Sequence, residues 1–176
     1  MNTIQSAAAE QKQASKVFSI AMDGLFIALT CIITFFVQIR LPFAGNGGLI
    51  HLGNVPLFIA AILFGKRTGA LAGGIGMGLF DLLSGWAIWA PFTFIIVGLM
   101  GFSVGAVTEK HKTFFWNVFA IILACIIKIV GYYIAEVIIY GNWLAPAGSI
   151  PGNILQVVVA GIIVLPIIPV LRKGLK

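Results

Sequence analysis

Six apolar segments fit within the 176 residues of this chain, and the basic residues lie almost entirely on alternate connections between them. Nine lysine and arginine residues share one side of this pattern: Lys12, Lys16, Lys66, Arg67, Lys110, Lys112, Arg172, Lys173 and Lys176. The opposite connections contain only Arg40. Because lysine and arginine are retained on the cytoplasmic side, the pattern predicts an all-α integral membrane protein with six transmembrane helices and both termini in the cytoplasm.

The composition supports a membrane protein and excludes an ordinary soluble domain. Hydrophobic residues make up 60% of the chain and charged residues only 9%, whereas about a quarter of a soluble domain is charged. The net charge of +6 is therefore interpreted as a cytoplasmic collar that also faces anionic lipid, and no nucleic-acid partner is expected. Residues 17–172 are predicted to form one membrane domain, preceded by a cytoplasmic tail over residues 1–16 that is frayed or a short surface helix.

The segments follow from the length of apolar sequence that a helix needs to cross a bilayer, about 20 residues. They are predicted at residues 17–39, 51–65, 68–84, 91–107, 114–140 and 150–171. The second is short for a full crossing. The third and fourth carry small residues four apart, namely Gly69 with Gly73, Gly74 with Gly78, and Gly101 with Gly105. Such pairs let helix backbones approach closely in lipid. No internal repeat is visible, which argues against a duplicated transporter with inverted repeats.

Four ionisable residues lie within the apolar segments: Asp23, Asp81, Lys128 and Glu136. A charge at mid-depth costs about 2.5–3.5 kcal/mol even on the mildest scale, so such residues usually face inward and have a function. Lys128, Tyr132 and Glu136 are four residues apart and share one face of the fifth helix. Lys128 and Glu136 are about 12 Å apart along the axis, so each needs another partner. Two alternatives follow: a structural pair, for example Lys128 with Asp81, or contact with a ligand.

Other polar and aromatic residues cluster toward the outer half of the membrane. Trp86, Trp89 and Trp143 fall on outer connections, where they form either an interfacial aromatic belt or stacking walls for a flat ring. Asn153 and Gln156 occupy the outer turns of the sixth helix, and His51 and Asn54 do the same for the second. The inner half has only Asp23. This one-sided cluster leaves no continuous polar path across the membrane, which counts against a channel.

Sequence motifs for catalysis are missing. There is no Gly-x-x-x-x-Gly-Lys-[Ser/Thr] nucleotide loop and no His-Glu-x-x-His zinc motif. His51 and His111 are predicted on opposite sides of the membrane, and Cys31 and Cys125 lack metal-ligand spacing. No enzymatic activity, cofactor or metal is therefore expected. A self-sufficient proton-coupled carrier remains an alternative, with the four ionisable residues as its relay.

A resemblance adds to this interpretation. The stretch HLGNVPLFIAAILFG from His51, the run GGIG from Gly73 and DLLSGWAIWAPFT from Asp81 resemble the S components of energy-coupling factor (ECF) vitamin transporters. The length and the six predicted crossings agree over nearly the whole chain. Within the family, the chain looks most similar to the branch assigned to hydroxymethylpyrimidine, pyridoxine and related ring vitamins.

The resemblance implies a function and partners. An S component binds a vitamin from outside the bacterial cell and docks on a shared transmembrane coupling (T) protein that carries two ATP-binding-cassette ATPases. Hydroxymethylpyrimidine or pyridoxine is the favoured ligand, with pantothenate and riboflavin as alternatives. The ligand would contact residues of the outer cluster: Asn54, Asp81, Trp86, Trp89, Lys128, Tyr132, Glu136, Trp143, Asn153 and Gln156.

Two further regions acquire roles from the same resemblance. The first outer loop acts as a lid in the family, and it corresponds here to a stretch that includes Arg40, Pro42 and Gly47. The family docks through an Ala-x-x-x-Ala pattern on its first helix, where this chain has Gly24-Leu-Phe-Ile-Ala28. The glycines of the third helix are further candidates for the docking surface.

Overall fold

The computed structural model of the chain describes residues 2–40 and 49–174, which form six α-helices and one short β-hairpin. The elements, in chain order, are α1 (Asn2–Phe36), β1 (Gln38–Arg40), β2 (Leu49–His51), α2 (Asn54–Phe64), α3 (Lys66–Leu83), α4 (Ala90–Lys110), α5 (Phe114–Tyr140), a short 3-10 turn (Ala145–Ser149) and α6 (Ile150–Gly174). The six predicted helices are confirmed. Residues 2–16, for which the sequence left two options open, form the first turns of α1.

Four of the six helices are long and apolar enough to cross a membrane. They are α1, α4, α5 and α6. Helix α2 has only 11 residues, and the 18 residues of α3 include the charged Lys66, Arg67 and Asp81. At 1.5 Å per residue, α2 is roughly 16 Å long, about half of the hydrocarbon thickness. Because α2 is short, the outer half of the bundle above its first residue is available to other groups.

The hairpin occupies part of that space. β1 pairs antiparallel with β2, and Ile39 lies opposite Ile50. The prediction that the first helix reaches residue 39 and that the second begins at residue 51 is wrong by three residues at each end. Helix α1 ends at Phe36 and α2 begins at Asn54. The β-branched Ile39 and Ile50 flank a glycine-rich connection, and β-branched residues favour extended backbone.

The glycine pairs predicted from sequence bring α3 against its neighbours. A Cβ at Gly101 of α4 would overlap the backbone of Gly69, and one at Gly105 would overlap the backbone of Lys66. A Cβ at Gly76 would lie 2.8 Å from the carbonyl oxygen of Ile27 on α1. Gly69 and Gly76 therefore pack against neighbouring helices inside the bundle, whereas Gly74 and Gly78 also line an apolar groove between α3 and α4. A docking role for the glycines of α3 stays a prediction.

Replacing Gly101 with alanine is expected to lower the free energy of unfolding by about 1–3 kcal/mol, because α3 and α4 must separate to admit the methyl group. Gly24→Ala is the matched control, since an added Cβ there meets nothing within 4 Å. Both changes have the same intrinsic helix preference, so the difference reports packing. The melting temperature in detergent measures it, and equal values for the two variants would contradict close packing at Gly101.

Polar contacts at the cytoplasmic ends fix how the first helices lie. Asp23 of α1 is only 5% exposed and accepts a hydrogen bond from the hydroxyl of Thr68 at 2.7 Å. Its second oxygen lies 3.1 Å from the guanidinium of Arg67. Glu109 of α4 accepts a hydrogen bond from the backbone N–H of Lys66 at 2.8 Å. The N-terminus of α3 is thus bonded to both α1 and α4.

Candidate functional site

A cavity of about 120 Å³ lies between the hairpin and the outer halves of α3, α4, α5 and α6. It follows from the shortness of α2, since the residues just before that helix, Leu49 and His51, form part of its wall. Its lining combines one ammonium, two carboxyl groups, amides, hydroxyls and aromatic rings. Such a combination of apolar walls and a few placed polar groups is typical of small-molecule sites.

Eight of the ten ligand-contacting residues predicted from sequence line this one cavity: Asp81, Trp86, Trp89, Lys128, Tyr132, Glu136, Asn153 and Gln156. They come from α3, the α3–α4 connection, α5 and α6. The three residues predicted to share a face of α5, Lys128, Tyr132 and Glu136, all reach it. The structure therefore collects residues that are up to 75 positions apart in the chain (156 − 81).

Lys128 is the most deeply placed charge in the cavity, with only 2% of its surface exposed. Its Nζ donates a hydrogen bond to Oε1 of Gln156 at 2.9 Å and lies 5.6 Å from the centre of the Tyr132 ring. An ammonium has three N–H donors and no acceptor. Within the residues that the structure describes, one of these donors has a hydrogen-bond partner, so two remain for a ligand.

Asp81 faces the same cavity without pairing with that lysine. No ion pair within 4.0 Å joins Asp81 to Lys128 among the described residues, so the predicted structural pair is not formed. Oδ2 of Asp81 is buried and has no hydrogen-bond partner there. A buried acceptor without a partner is costly. The cavity therefore presents open donors on Lys128 and an open acceptor on Asp81, which a ligand carrying both kinds of group would satisfy.

Aromatic rings form the apolar part of the wall. The ring centres of Trp89 and Tyr132 are 6.3 Å apart, with 43° between their planes. Tyr132 is held by a 3.1 Å hydrogen bond between its hydroxyl and that of Thr93, and Trp89 also contacts Tyr140. The sequence left two interpretations of the outer tryptophans open, an interfacial belt or walls for a flat ring. The structure places Trp86 and Trp89 in the lining of the cavity, as the second interpretation requires. Such faces suit a flat ring.

The remaining predicted residues lie elsewhere. Trp143 is 71% exposed and not part of the lining; its carbonyl oxygen accepts a hydrogen bond from the Tyr133 hydroxyl. Asn54 is fully buried in the first turn of α2, outside the lining, and its amide atoms have no partner among the described residues. For the predicted lid, the backbone of Arg40 belongs to β1, while Pro42 and Gly47 lie outside the described residues.

Several lining residues were not among the ligand contacts predicted from the sequence. They are Thr34, Leu49, His51, Met77, Phe80, Thr93, Gly148, Ser149 and Gly152. His51 had the clearest signal, as a polar residue at the edge of an apolar segment. Its Nδ1 accepts a hydrogen bond from the backbone N–H of Gly53 at 3.2 Å, which leaves Nε2–H as the donor of a neutral ring. Thr34, Met77 and Phe80 are ordinary membrane-helix residues, and only the packing brings them here.

Comparisons with known proteins agree on the kind of protein, although the names of the matched proteins refer to different vitamins. A family model described as "ECF-type riboflavin transporter, S component" matches residues 14–173. A "Thiamine precursor transporter HmpT" from Lactococcus lactis subsp. cremoris is 28% identical over 150 residues, 85% of each protein. An uncharacterized protein from Pyrococcus woesei is 30% identical over 129 residues, 72% of this chain and 83% of that protein.

The fold is similar to two solved structures. One, described as the S component of a bacterial ECF transporter, has a TM-score of 0.75 and 20% identity, and the match covers 92% of this chain and 99% of that one. The other is an S component for biotin from an ECF-type ABC transporter. It has a TM-score of 0.61 and 20% identity, over 91% of this chain and 93% of that one.

Proposed function

Because this chain belongs to the S components of ECF transporters, we propose that it captures a small polar ring vitamin from outside the cell, with hydroxymethylpyrimidine favoured and pyridoxine next. As an S component it is the substrate-binding subunit of an importer, a multi-pass protein of the plasma membrane and not an enzyme. ECF S components bind a vitamin and associate with a T component and ATPases.

The arrangement of donors and acceptors carries the proposal. An aminopyrimidine has an amino group next to a ring nitrogen, so it offers a donor to Asp81 and an acceptor to Lys128. Flat rings also suit the faces of Trp89 and Tyr132. A carboxylate such as pantothenate would fit Lys128 but would meet two further carboxyl groups, Asp81 and Glu136, in the same cavity. The lining therefore favours a neutral or weakly basic ring over an acid.

The names of the matched proteins support more than one ring vitamin. The family model is described as a riboflavin transporter S component, so riboflavin stays the alternative ligand. The name of the Lactococcus relative, a thiamine precursor transporter, agrees with a single pyrimidine ring.

Native mass spectrometry tests the proposal directly. The chain is purified in detergent from cells grown with a full vitamin mixture, and a retained molecule at one-to-one stoichiometry is identified by its mass. The emptied protein is then titrated with hydroxymethylpyrimidine, pyridoxine, pantothenate and riboflavin. Tight binding of pantothenate or riboflavin alone would overturn the choice of ligand, and binding of none of the four would overturn the proposed class.

Tryptophan fluorescence locates the bound vitamin. Hydroxymethylpyrimidine is expected to quench the emission of the wild-type protein because its ring would contact Trp89. Trp89→Phe should remove most of this quenching, whereas Trp116→Phe should retain it. Trp116 stacks on His111 at the cytoplasmic end of the bundle, with ring centres 4.1 Å apart. It lies about three turns of α5, roughly 18 Å, before the lining residue Lys128. Equal quenching in the two variants would place the ring away from Trp89.

A further inference from the structure

The side chain of Gln156 joins the deepest charge of the cavity to the hairpin. Its Oε1 accepts the hydrogen bond from Nζ of Lys128 at 2.9 Å. Its Nε2 donates to the carbonyl oxygen of Leu49 at 2.7 Å, although the two residues are 107 positions apart. Leu49 begins β2 and directly follows the undescribed residues 41–48. One buried amide thus connects α5, α6 and the hairpin.

Only one orientation of this amide satisfies both neighbours. An ammonium can only donate and a backbone carbonyl can only accept, so Oε1 must face Lys128 and Nε2 must face Leu49. If the amide were reversed, its oxygen would oppose the carbonyl oxygen of Leu49 and its NH₂ group would oppose the ammonium. Lys128 therefore selects the orientation that the hairpin requires, even though it forms no hydrogen bond with the hairpin itself.

We propose that Gln156 is a positioning residue that couples the Lys128 ammonium to the seating of the hairpin beside the cavity. A ligand that engages Lys128 and the strand β2 that lines the cavity would then depend on each other through this amide. Linkage requires such coupling to act in both directions: if the seated hairpin favours the ligand, the ligand favours the seated hairpin by the same factor. The coupling between ligand and hairpin rests on the proposed function. The two hydrogen bonds of Gln156, with Lys128 and with Leu49, are present without a ligand.

Three variants separate the contacts. Gln156→Glu keeps an acceptor for Lys128 but removes the donor to Leu49, because a carboxylate cannot donate. Lys128→Met removes the ammonium and leaves the amide in place. Asn153→Asp is the matched control: it makes the same amide-to-carboxylate change in the same cavity, one turn away on α6.

Hydrogen–deuterium exchange of the ligand-free protein is the measurement. We expect the peptide that covers Leu49–His51 to exchange about threefold to tenfold faster in Gln156→Glu and in Lys128→Met, the range that corresponds to one hydrogen bond. Asn153→Asp should exchange like the wild type. A purely structural role for Gln156 would leave Lys128→Met unchanged in this peptide, because Lys128 has no hydrogen bond to it.

Unchanged hairpin exchange in Lys128→Met or in Gln156→Glu would overturn the coupling. Gln156→Glu adds a buried charge, and if it does not fold, Gln156→Met takes its place. Methionine has a similar length but forms neither hydrogen bond, so the same faster exchange of the hairpin peptide is expected. These measurements need no vitamin, so they stand even if the proposed ligand is wrong. Binding of hydroxymethylpyrimidine should slow exchange of the hairpin peptide in the wild type, and should slow it less in Gln156→Met. An equal effect in both proteins would contradict the proposed coupling between ligand and hairpin.

Discussion

Replacing Lys128 with methionine is expected to lower the affinity of the purified protein for its vitamin by about 100-fold. Hydrogen bonds to a charged group contribute about 1.5–3 kcal/mol, and removing one partner of buried charges leaves the others uncompensated. Here the carboxyl group of Asp81, whose Oδ2 has no hydrogen-bond partner among the described residues, would remain in the cavity without the cation. Since 1.4 kcal/mol corresponds to a factor of ten, a loss of about two decades corresponds to the upper part of this range.

Isothermal titration with the vitamin identified by mass spectrometry measures this change. Lys110→Met is the matched control, because Lys110 is exposed at the cytoplasmic end of α4. Asp81→Asn should weaken an aminopyrimidine about tenfold, since a hydrogen bond from a ligand donor to a carboxylate is replaced by one to a neutral amide. If Lys128→Met and Asp81→Asn both bind as the wild type does, the ligand does not occupy this cavity.

The helices were predictable because lipid leaves the backbone little choice. Backbone groups in hydrocarbon must be satisfied within the segment, so an apolar run of sufficient length becomes a helix. The hairpin could not be predicted from the sequence. Its pairing of Ile39 with Ile50 depends on contacts across a glycine-rich connection and not on any periodic pattern. The same limit explains Asp23, whose partners Thr68 and Arg67 are more than 40 residues away.

The candidate site was predictable where one helix carries it. Lys128, Tyr132 and Glu136 reach the cavity together because their spacing places them on one face of α5. Residues such as Thr34 and Phe80 carry no such signal, as threonine and phenylalanine are common in membrane helices and only the bundle decides which of them meet a cavity. Trp143 is the opposite case: its residue type suggested either a ring-binding wall or an interfacial belt, and the structure leaves it exposed and outside the lining. Its contact with a ligand stays a prediction.

Replacing Gly24 and Ala28 together with leucine is expected to abolish co-purification with the T component and the ATPases, and with it vitamin uptake, while vitamin binding is retained. Ile20, Gly24, Ala28 and Ile32 are four residues apart and so share one face of α1. All four are exposed, the two isoleucines by 52% each. The small pair thus forms a shallow notch between larger apolar residues, where a partner helix can approach the backbone closely.

The rotation of α1 explains why the substitution should spare the cavity. Asp23 is directed inward to Thr68 and Arg67, so its neighbour Gly24 faces outward, and an added Cβ at Gly24 meets nothing within 4 Å. Leucine at this face therefore fits the isolated chain and obstructs only a partner. Val130→Leu with Val158→Leu is the control, because both enlarge exposed apolar positions on α5 and α6 without touching α1.

Two outcomes would contradict this docking face, and they differ in what they imply. An equal loss of vitamin binding in Gly24→Leu/Ala28→Leu would mean that the small residues maintain the bundle rather than receive a partner. Undiminished co-purification would place the T component on another surface, and the control pair on α5 and α6 would then be the first alternative face to examine. Loss of co-purification with unchanged binding assigns the two faces of α1 separate roles: Asp23 holds the helix in the bundle, and Gly24 with Ala28 receives the coupling protein.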